Sequence, residues 1–206
     1  MILLDYASAA SGGLVGERVT MLEVEVKFPV TKLSALERDL TSLGAAKRDL
    51  RFETDHYFNA PDRDFARTDE ALRLRRIGAK NYVTYKGPKR DQETKTRTEI
   101  EVALAHGDET AAQFIRLVQS LGYRSTAEVH KRRQVYHLRR GSFDVEVCVD
   151  DVQEVGTFVE VEVIAPEDQE EQARNVILRL ANELGLDRSE RRSYLELLLV
   201  ARGARA

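Results

Sequence analysis

The sequence predicts an α+β, mainly β protein: a closed eight-stranded antiparallel barrel, or tunnel, with helices packed on its outside. Three observations carry that prediction. Apolar and charged residues alternate strictly over five stretches, the period of strands with two different faces. Amphipathic stripes at helical spacing are available to cover the apolar faces. The opposite faces are crowded with charge, and closing the sheet both encloses them and removes its edges.

The elements follow in order. Leu22 to Phe28 alternates without a fault. Thr31–Leu43 places Leu33, Leu36, Leu40 and Leu43 on one helical face, with Thr31 as the expected N-cap and Gly44 as the stop. Arg51–Phe58 reads as a weaker strand, and Ala71–Ile77 as a strong one that sets Leu72 and Leu74 against Arg73 and Arg75. Asn81–Lys86 is weaker, and Arg97–Leu104 alternates again. Asp108–Leu121 is helical through Ala111, Phe114, Ile115, Val118 and Leu121, and stops at Gly122. Val129–Leu138 is a weaker strand, whereas Phe143–Asp150 and Thr157–Val163 are regular ones. Glu167–Leu184 repeats the helical stripe up to Gly185, and a short helix is expected over Tyr194–Val200.

At 206 residues, with no composition break, the chain suits one domain over residues 21–200. Residues 1–20 read as a flexible leader with no basic n-region, and Met21 is the expected natural start. The balance of 32 Lys plus Arg against 35 Asp plus Glu argues against gripping duplex nucleic acid by bulk charge. The single Cys148 excludes an internal disulfide and a cysteine zinc site. No apolar run approaches the roughly 20 residues of a membrane span, so a cytoplasmic protein is expected. Oligomeric state is not legible, and a homodimer is left open.

The charged faces point to chemistry. Glu-x-Glu occurs at 23/25, 99/101 and 160/162 on predicted strands. Carboxylates so placed sit roughly 6.6 Å apart and repel by about 2.5 kcal/mol at an effective dielectric of about 20. Solvent relieves this on an open sheet; in an enclosed one a hard cation such as Mg²⁺, or facing bases, must do it. Arg73, Arg75 and Lys86 cluster on neighbouring strands, and Lys131 and Arg133 on another. Such rows cradle polyanions, because guanidinium matches phosphate bidentately. A solvated face explains any single strand; together these rows describe a metal-plus-polyanion tunnel.

Glu23-Val-Glu25-Val-Lys27 resembles the ExExK signature of the CYTH family, also called triphosphate tunnel metalloenzymes. The resemblance continues through Asp55-His-Tyr-Phe58, Leu72-Arg-Leu-Arg75, Thr84-Tyr-Lys-Gly-Pro88, Arg97-Thr-Glu-Ile-Glu101 and Lys131-Arg-Arg133. Val149-Asp150, Gly156-Thr-Phe-Val-Glu160-Val-Glu162 and Arg192-Ser-Tyr194 complete it, from about Met21 to Leu199. The Lys-Gly-Pro, Gly-Thr-Phe-Val-Glu-Val-Glu and Arg-Ser-Tyr blocks are most similar to the class IV adenylyl cyclase branch.

The resemblance implies an enzyme that processes a triphosphate with Mg²⁺ or Mn²⁺. It implies metal-side carboxylates at Glu23, Glu25, Asp150, Glu160 and Glu162. It implies phosphate-side cations at Lys27, Arg73, Arg75, Lys86, Lys131 and Arg133, with Arg192 also on the substrate side. Catalytic roles fall on Lys27, Lys86 and Asp150. Arg97, Glu99 and Glu101 match a block without assigned roles, and Asp144 and Glu146 are expected wall residues. The favoured reaction turns ATP into cyclic AMP and pyrophosphate. The alternatives are a triphosphatase acting on tripolyphosphate, thiamine triphosphate or a nucleotide, and a non-enzymatic nucleotide or polyphosphate sensor. His56, His106, His130 and His137 lack metal-like spacing and are expected on surfaces or walls. Cys148 is expected as a wall filler, and Tyr57, Tyr82, Tyr85, Tyr136 and Tyr194 as core or rim.

Overall fold

The computed structural model describes residues 21–90, 94 and 96–203; the expected leader, residues 1–20, lies outside them. The eight strands are β1 (Met21–Pro29), β2 (Ala46–Asn59), β3 (Ala71–Ile77) and β4 (Lys80–Lys86), then β5 (Glu99–Leu104), β6 (Arg124–Arg140), β7 (Phe143–Val152) and β8 (Gly156–Pro166). All pairings are antiparallel, in the order β1-β8-β7-β6-β2-β3-β4-β5. The sheet curls strongly, with β1 and β5 as its two edges. The expected closed barrel is corrected to a half-barrel: β1 and β5 do not pair, and the isolated bridge among the described residues joins Glu23 to Arg97, just before β5.

The helices are α1 (Leu33–Ser42), α2 (Phe65–Thr68), α3 (Asp108–Ser120), α4 (Glu170–Glu183) and α5 (Tyr194–Ala201). Among the described residues no helix is long and apolar enough to cross a membrane. Alternation dictates where three of them sit. The outward side chains Val24, Val26, Val145, Val147, Val161 and Val163 are buried under α1 and α4 through Leu36, Leu40, Ile177 and Leu180. Leu74 and Phe58 are buried under α3 through Ala111 and Val118. Each fully buried aliphatic side chain contributes about 1.5–3 kcal/mol. Gly44 (φ 78°) and Gly185 (φ 64°) end their helices in the left-handed region, as their positions predicted.

Several local expectations are corrected. Lys32, not Thr31, occupies the N-cap of α1, and no side chain caps it. Glu167–Gln169 forms a 3₁₀ turn before α4 instead of its first turn. The outer face of β5 is not covered: Ile100 is 57% and Val102 54% exposed. Finally, α5 does not pack on the outside. Tyr194 and Leu198 pack against Tyr57, Val129, Val152 and Phe158, which share the inward faces of Asp55, Lys131, Asp150 and Glu160 two residues away, so α5 stops one end of the bore.

A candidate active site in the bore of the barrel

The inward faces enclose a cavity of about 660 Å³, lined by Glu23, Glu25, Lys27, Asp55, Arg73, Arg75, Lys86, Arg97, Glu99, Lys131, Arg133, Glu160, Glu162 and Tyr194 among others. Nearly all of the expected site residues therefore meet in one space. Register decides their neighbours. Lys27 stands directly opposite Glu160, Lys131 opposite Glu53, Arg75 opposite Asp55, Arg133 opposite Asp150 and Lys86 opposite Glu99. Cross-strand partners lie about 5 Å apart, so each base is born beside an acid.

The resulting ion pairs are buried. Arg75 makes a bidentate pair with Asp55, Nε to Oδ1 and Nη2 to Oδ2, both at 2.6 Å, and its Nε is 3.2 Å from Glu53 Oε2. Lys131 Nζ lies 3.2 Å from the same Glu53 oxygen. Arg133 Nε donates to Asp150 Oδ1 at 2.7 Å, and its Nη2 also contacts Glu160. Burial alone would raise the Glu53 and Asp55 carboxyls, but Arg75 and the bases around it outweigh burial and hold both below the usual range.

One row breaks the pattern. Glu25 stands opposite Glu162, and Glu162 opposite Glu146, so three adjacent strands present acid to acid. Glu23, Glu25 and Glu162 bring carboxylate oxygens within 4.8 Å of one another, and Glu146, Cys148 and Glu162 form a second such group. Burial, then Glu23 and Glu146, pushes the Glu162 carboxyl up to about 8. Burial and Glu23 likewise push Glu99 up to about 8, although Lys86 lies between it and Glu23, 3.2 Å from Glu23 Oε2. A crowded all-carboxylate group fits a hard divalent cation such as Mg²⁺ or Mn²⁺, which takes oxygen ligands and relieves the repulsion of acid facing acid.

The remaining residues divide by geometry. Asp150 and Glu160 are gathered by Arg133 instead of joining the three-carboxylate group. Arg73 Nη2 donates to Thr84 Oγ1 at 3.1 Å, and its buried Nε has no hydrogen-bond partner among the described residues, leaving it a donor for an incoming anion. Lys27 Nζ donates to the Arg192 carbonyl oxygen at 2.5 Å and lies 4.0 Å from the centre of the Tyr194 ring. The Arg192 guanidinium itself turns away to Glu190, its Nε 2.9 Å from Oε1. Cys148 fills the wall as expected, its thiol donating to Glu146 Oε1 at 3.2 Å. Asp144 is exposed.

Three participants were not foreseen. Glu53 and Asp55 form the acidic heart of the ion network, and their i, i+2 spacing on β2 was the signal that could have found them. Tyr194 is more than rim: its hydroxyl donates to Asp150 Oδ2 at 2.8 Å.

The raised carboxyls give a pH prediction for the metal-free protein. Folded Glu99 and Glu162 bind protons up to about pH 8, whereas unfolded they release them near 4.5. Between those values the native state holds more protons, so stability falls as pH rises. The melting temperature in EDTA should decline from pH 5 to pH 8.5, and saturating Mn²⁺ should flatten or reverse that slope. A profile that rises in EDTA would contradict the assignment.

The CYTH domain model matches residues 21–194. "Putative adenylate cyclase MJ0240" from Methanocaldococcus jannaschii is 34% identical over 180 residues, covering 86% of this chain and 98% of that one. The solved PH1819 protein of Pyrococcus horikoshii superposes with a TM-score of 0.76 at 34% identity, over 86% of this chain and 98% of its own. HpAC1 from Hippeastrum, described as having a dominant triphosphatase activity, matches with a TM-score of 0.63 over 87% of this chain and 95% of its own. At 17% identity that likeness concerns the fold alone.

Proposed function

The chain belongs to the CYTH domain family, and on that premise we propose that it is a divalent-metal-dependent adenylyl cyclase of the class IV type. The observation that carries the proposal is the juxtaposition, in one cavity, of a three-carboxylate group and a wall of bases. Glu23, Glu25 and Glu162 would hold Mg²⁺ or Mn²⁺, with Glu160 and Asp150 behind them. When bound, the ion neutralises phosphate oxygens and charge developing on them. Arg73, Arg75, Lys131 and Arg133 would grip the triphosphate, and Lys27 and Lys86 would steady the pyrophosphate as it leaves. Asp150 orients Arg133 and Tyr194 through the bonds described above. Arg192 would act on the substrate side through its backbone carbonyl on Lys27.

In this reaction the ribose 3′-hydroxyl of ATP attacks the α-phosphorus and pyrophosphate departs. The adenylate cyclase name of the 34% identical relative supports it over hydrolysis. The same residues serve a triphosphatase, in which water attacks the terminal phosphorus, and the description of HpAC1 keeps that second reading in view. Incubation with Mg²⁺ or Mn²⁺ and either ATP or tripolyphosphate, followed by chromatography, separates them. Cyclic AMP and pyrophosphate in equal amounts are expected. ADP with orthophosphate would replace the cyclase by the triphosphatase. Tight ATP binding with no turnover would replace both by a sensor.

A further inference from the structure

The outer face of β2 and β6 carries a polar cluster that takes no part in the bore. Alternation turns Thr54 and His56 away from the inward Glu53 and Asp55. His56 Nε2 lies 2.9 Å from Ser125 Oγ, and His56 Nδ1 lies 3.1 Å from Glu128 Oε1. The strands build this deliberately. His56 and Glu128 are directly opposed in register. A register shift then intervenes: Tyr57 faces Ala127 but Phe58 faces Ser125, which brings Ser125 back toward the imidazole.

Each group is held in the state a nucleophilic array needs. The His56 ring stacks on Phe58, with centroids 4.5 Å apart and planes at 5°. Burial lowers its pKa against the pull of Glu128, so the neutral ring presents Nε2 as an acceptor when Nδ1 carries the proton. Gln119 Nε2 donates to Ser125 Oγ at 3.4 Å, which leaves the hydroxyl hydrogen for His56. Glu128 is steadied from behind by His130, whose Nε2 is 3.6 Å from Oε2 and whose Nδ1 is 3.2 Å from Thr54 Oγ1. Ser125 itself is exposed to solvent. The Nδ1 approach to Glu128 is off the line of an ideal bond, a looseness common in arrays without substrate.

The geometry points to a second reactive centre, in which Ser125, activated by His56 and oriented by Glu128, is a nucleophile toward small acyl esters. Nucleophile, base and orienting acid stand in the order that acyl transfer requires. Ser125 Oγ attacks the ester carbonyl as its proton passes to His56 Nε2. Gln119 Nε2, which donates to Ser125 Oγ before the attack, is the donor available to the carbonyl oxygen as charge builds there. The C–O bond to the leaving group breaks, and the alcohol departs with the proton from His56. Water then attacks the acyl-serine, again giving its proton to His56, and the carboxylic acid leaves as Ser125 recovers its hydrogen. The sum is ester plus water to acid plus alcohol.

The test uses the full chain with p-nitrophenyl acetate and, separately, a fluorophosphonate probe. Nitrophenol release and peptide mass spectrometry are the readouts. Acetyl and phosphonyl adducts are expected on Ser125, and Ser125→Ala or His56→Gln should lower ester turnover by about 100-fold or more. Glu128→Gln should lower it by about 10-fold or more, through the wrong imidazole tautomer. All three variants should still bind ATP in the bore as the parent does. Unchanged nitrophenol release in Ser125→Ala, or adducts only at other residues, would overturn the proposal. Should Ser125→Ala fail to fold, Ser125→Cys keeps the side-chain size, and its failure to be acylated would overturn the proposal equally.

Discussion

Glu162→Gln is expected to lower turnover by roughly 10²–10⁴, because a divalent ion contributes several kcal/mol of transition-state stabilisation and this residue sits at the centre of the acid row. Glu25→Gln should act alike, and EDTA should abolish activity in the parent. The same change should stabilise the metal-free fold. Gln removes one of three facing carboxylates whose mutual repulsion and burial push Glu162 up to about 8. Activity and apo melting temperature should thus move in opposite directions at pH 8. Turnover unaffected by chelation would remove the metal from the mechanism.

Arg75→Ala carries the largest expected stability effect. It strips Asp55 of its bidentate partner, leaving it Arg73 and Lys131 at 3.6 and 3.8 Å, while Glu53 keeps Arg51 and Lys131; both carboxylates are 1% exposed. Removing one partner of a buried ion network costs about 3–5 kcal/mol, and urea unfolding should show it. Adding Asp55→Ala should cost less than the sum of the two single changes, since the stranded charge goes with it. Triphosphate binding should weaken as well, by about 1.5–3 kcal/mol for a lost charge-assisted contact. A variant of parental stability that binds triphosphate poorly would make Arg75 a phosphate ligand and nothing more.

The strands were legible because their two faces differ so sharply. From Leu22 to Phe28 and from Val145 to Asp150 each alternate residue meets either the helix-covered core or the bore. β2 and β6 run longer than their alternation suggested, since their ends, such as Ala46–Asp49, are exposed and face no apolar core. The four-residue α2 is set by side chains on its approach: Asn59 Oδ1 accepts from the Phe65 N–H and Asp64 Oδ1 from the Ala66 N–H. No hydrophobic period could announce it. In the bore, the residue types were readable and their partners were not. Arg133 meets Asp150, and Lys131 meets Glu53, through registers between strands 17 to 78 residues apart. Likewise Tyr194 reads as an ordinary core aromatic until α5 folds inward onto Asp150.

Where base faces acid from strand to strand the charges cancel at a distance; the row of Glu25, Glu162 and Glu146 is the exception. The bases of the bore stand one strand spacing, about 5 Å, from their acids, inside a Debye length of about 8 Å at physiological salt. These pairs add little field past the mouth and so give little of the long-range steering that a one-signed cleft gives a charged ligand. Through these pairs, ionic strength would have little hold on the arrival of a polyanion. On the proposed function, discrimination would be deferred until the chain of phosphates is inside and has displaced the resident carboxylates from their guanidinium partners. Selectivity then resides in how slowly a matching chain escapes, not in how often any anion calls at the door.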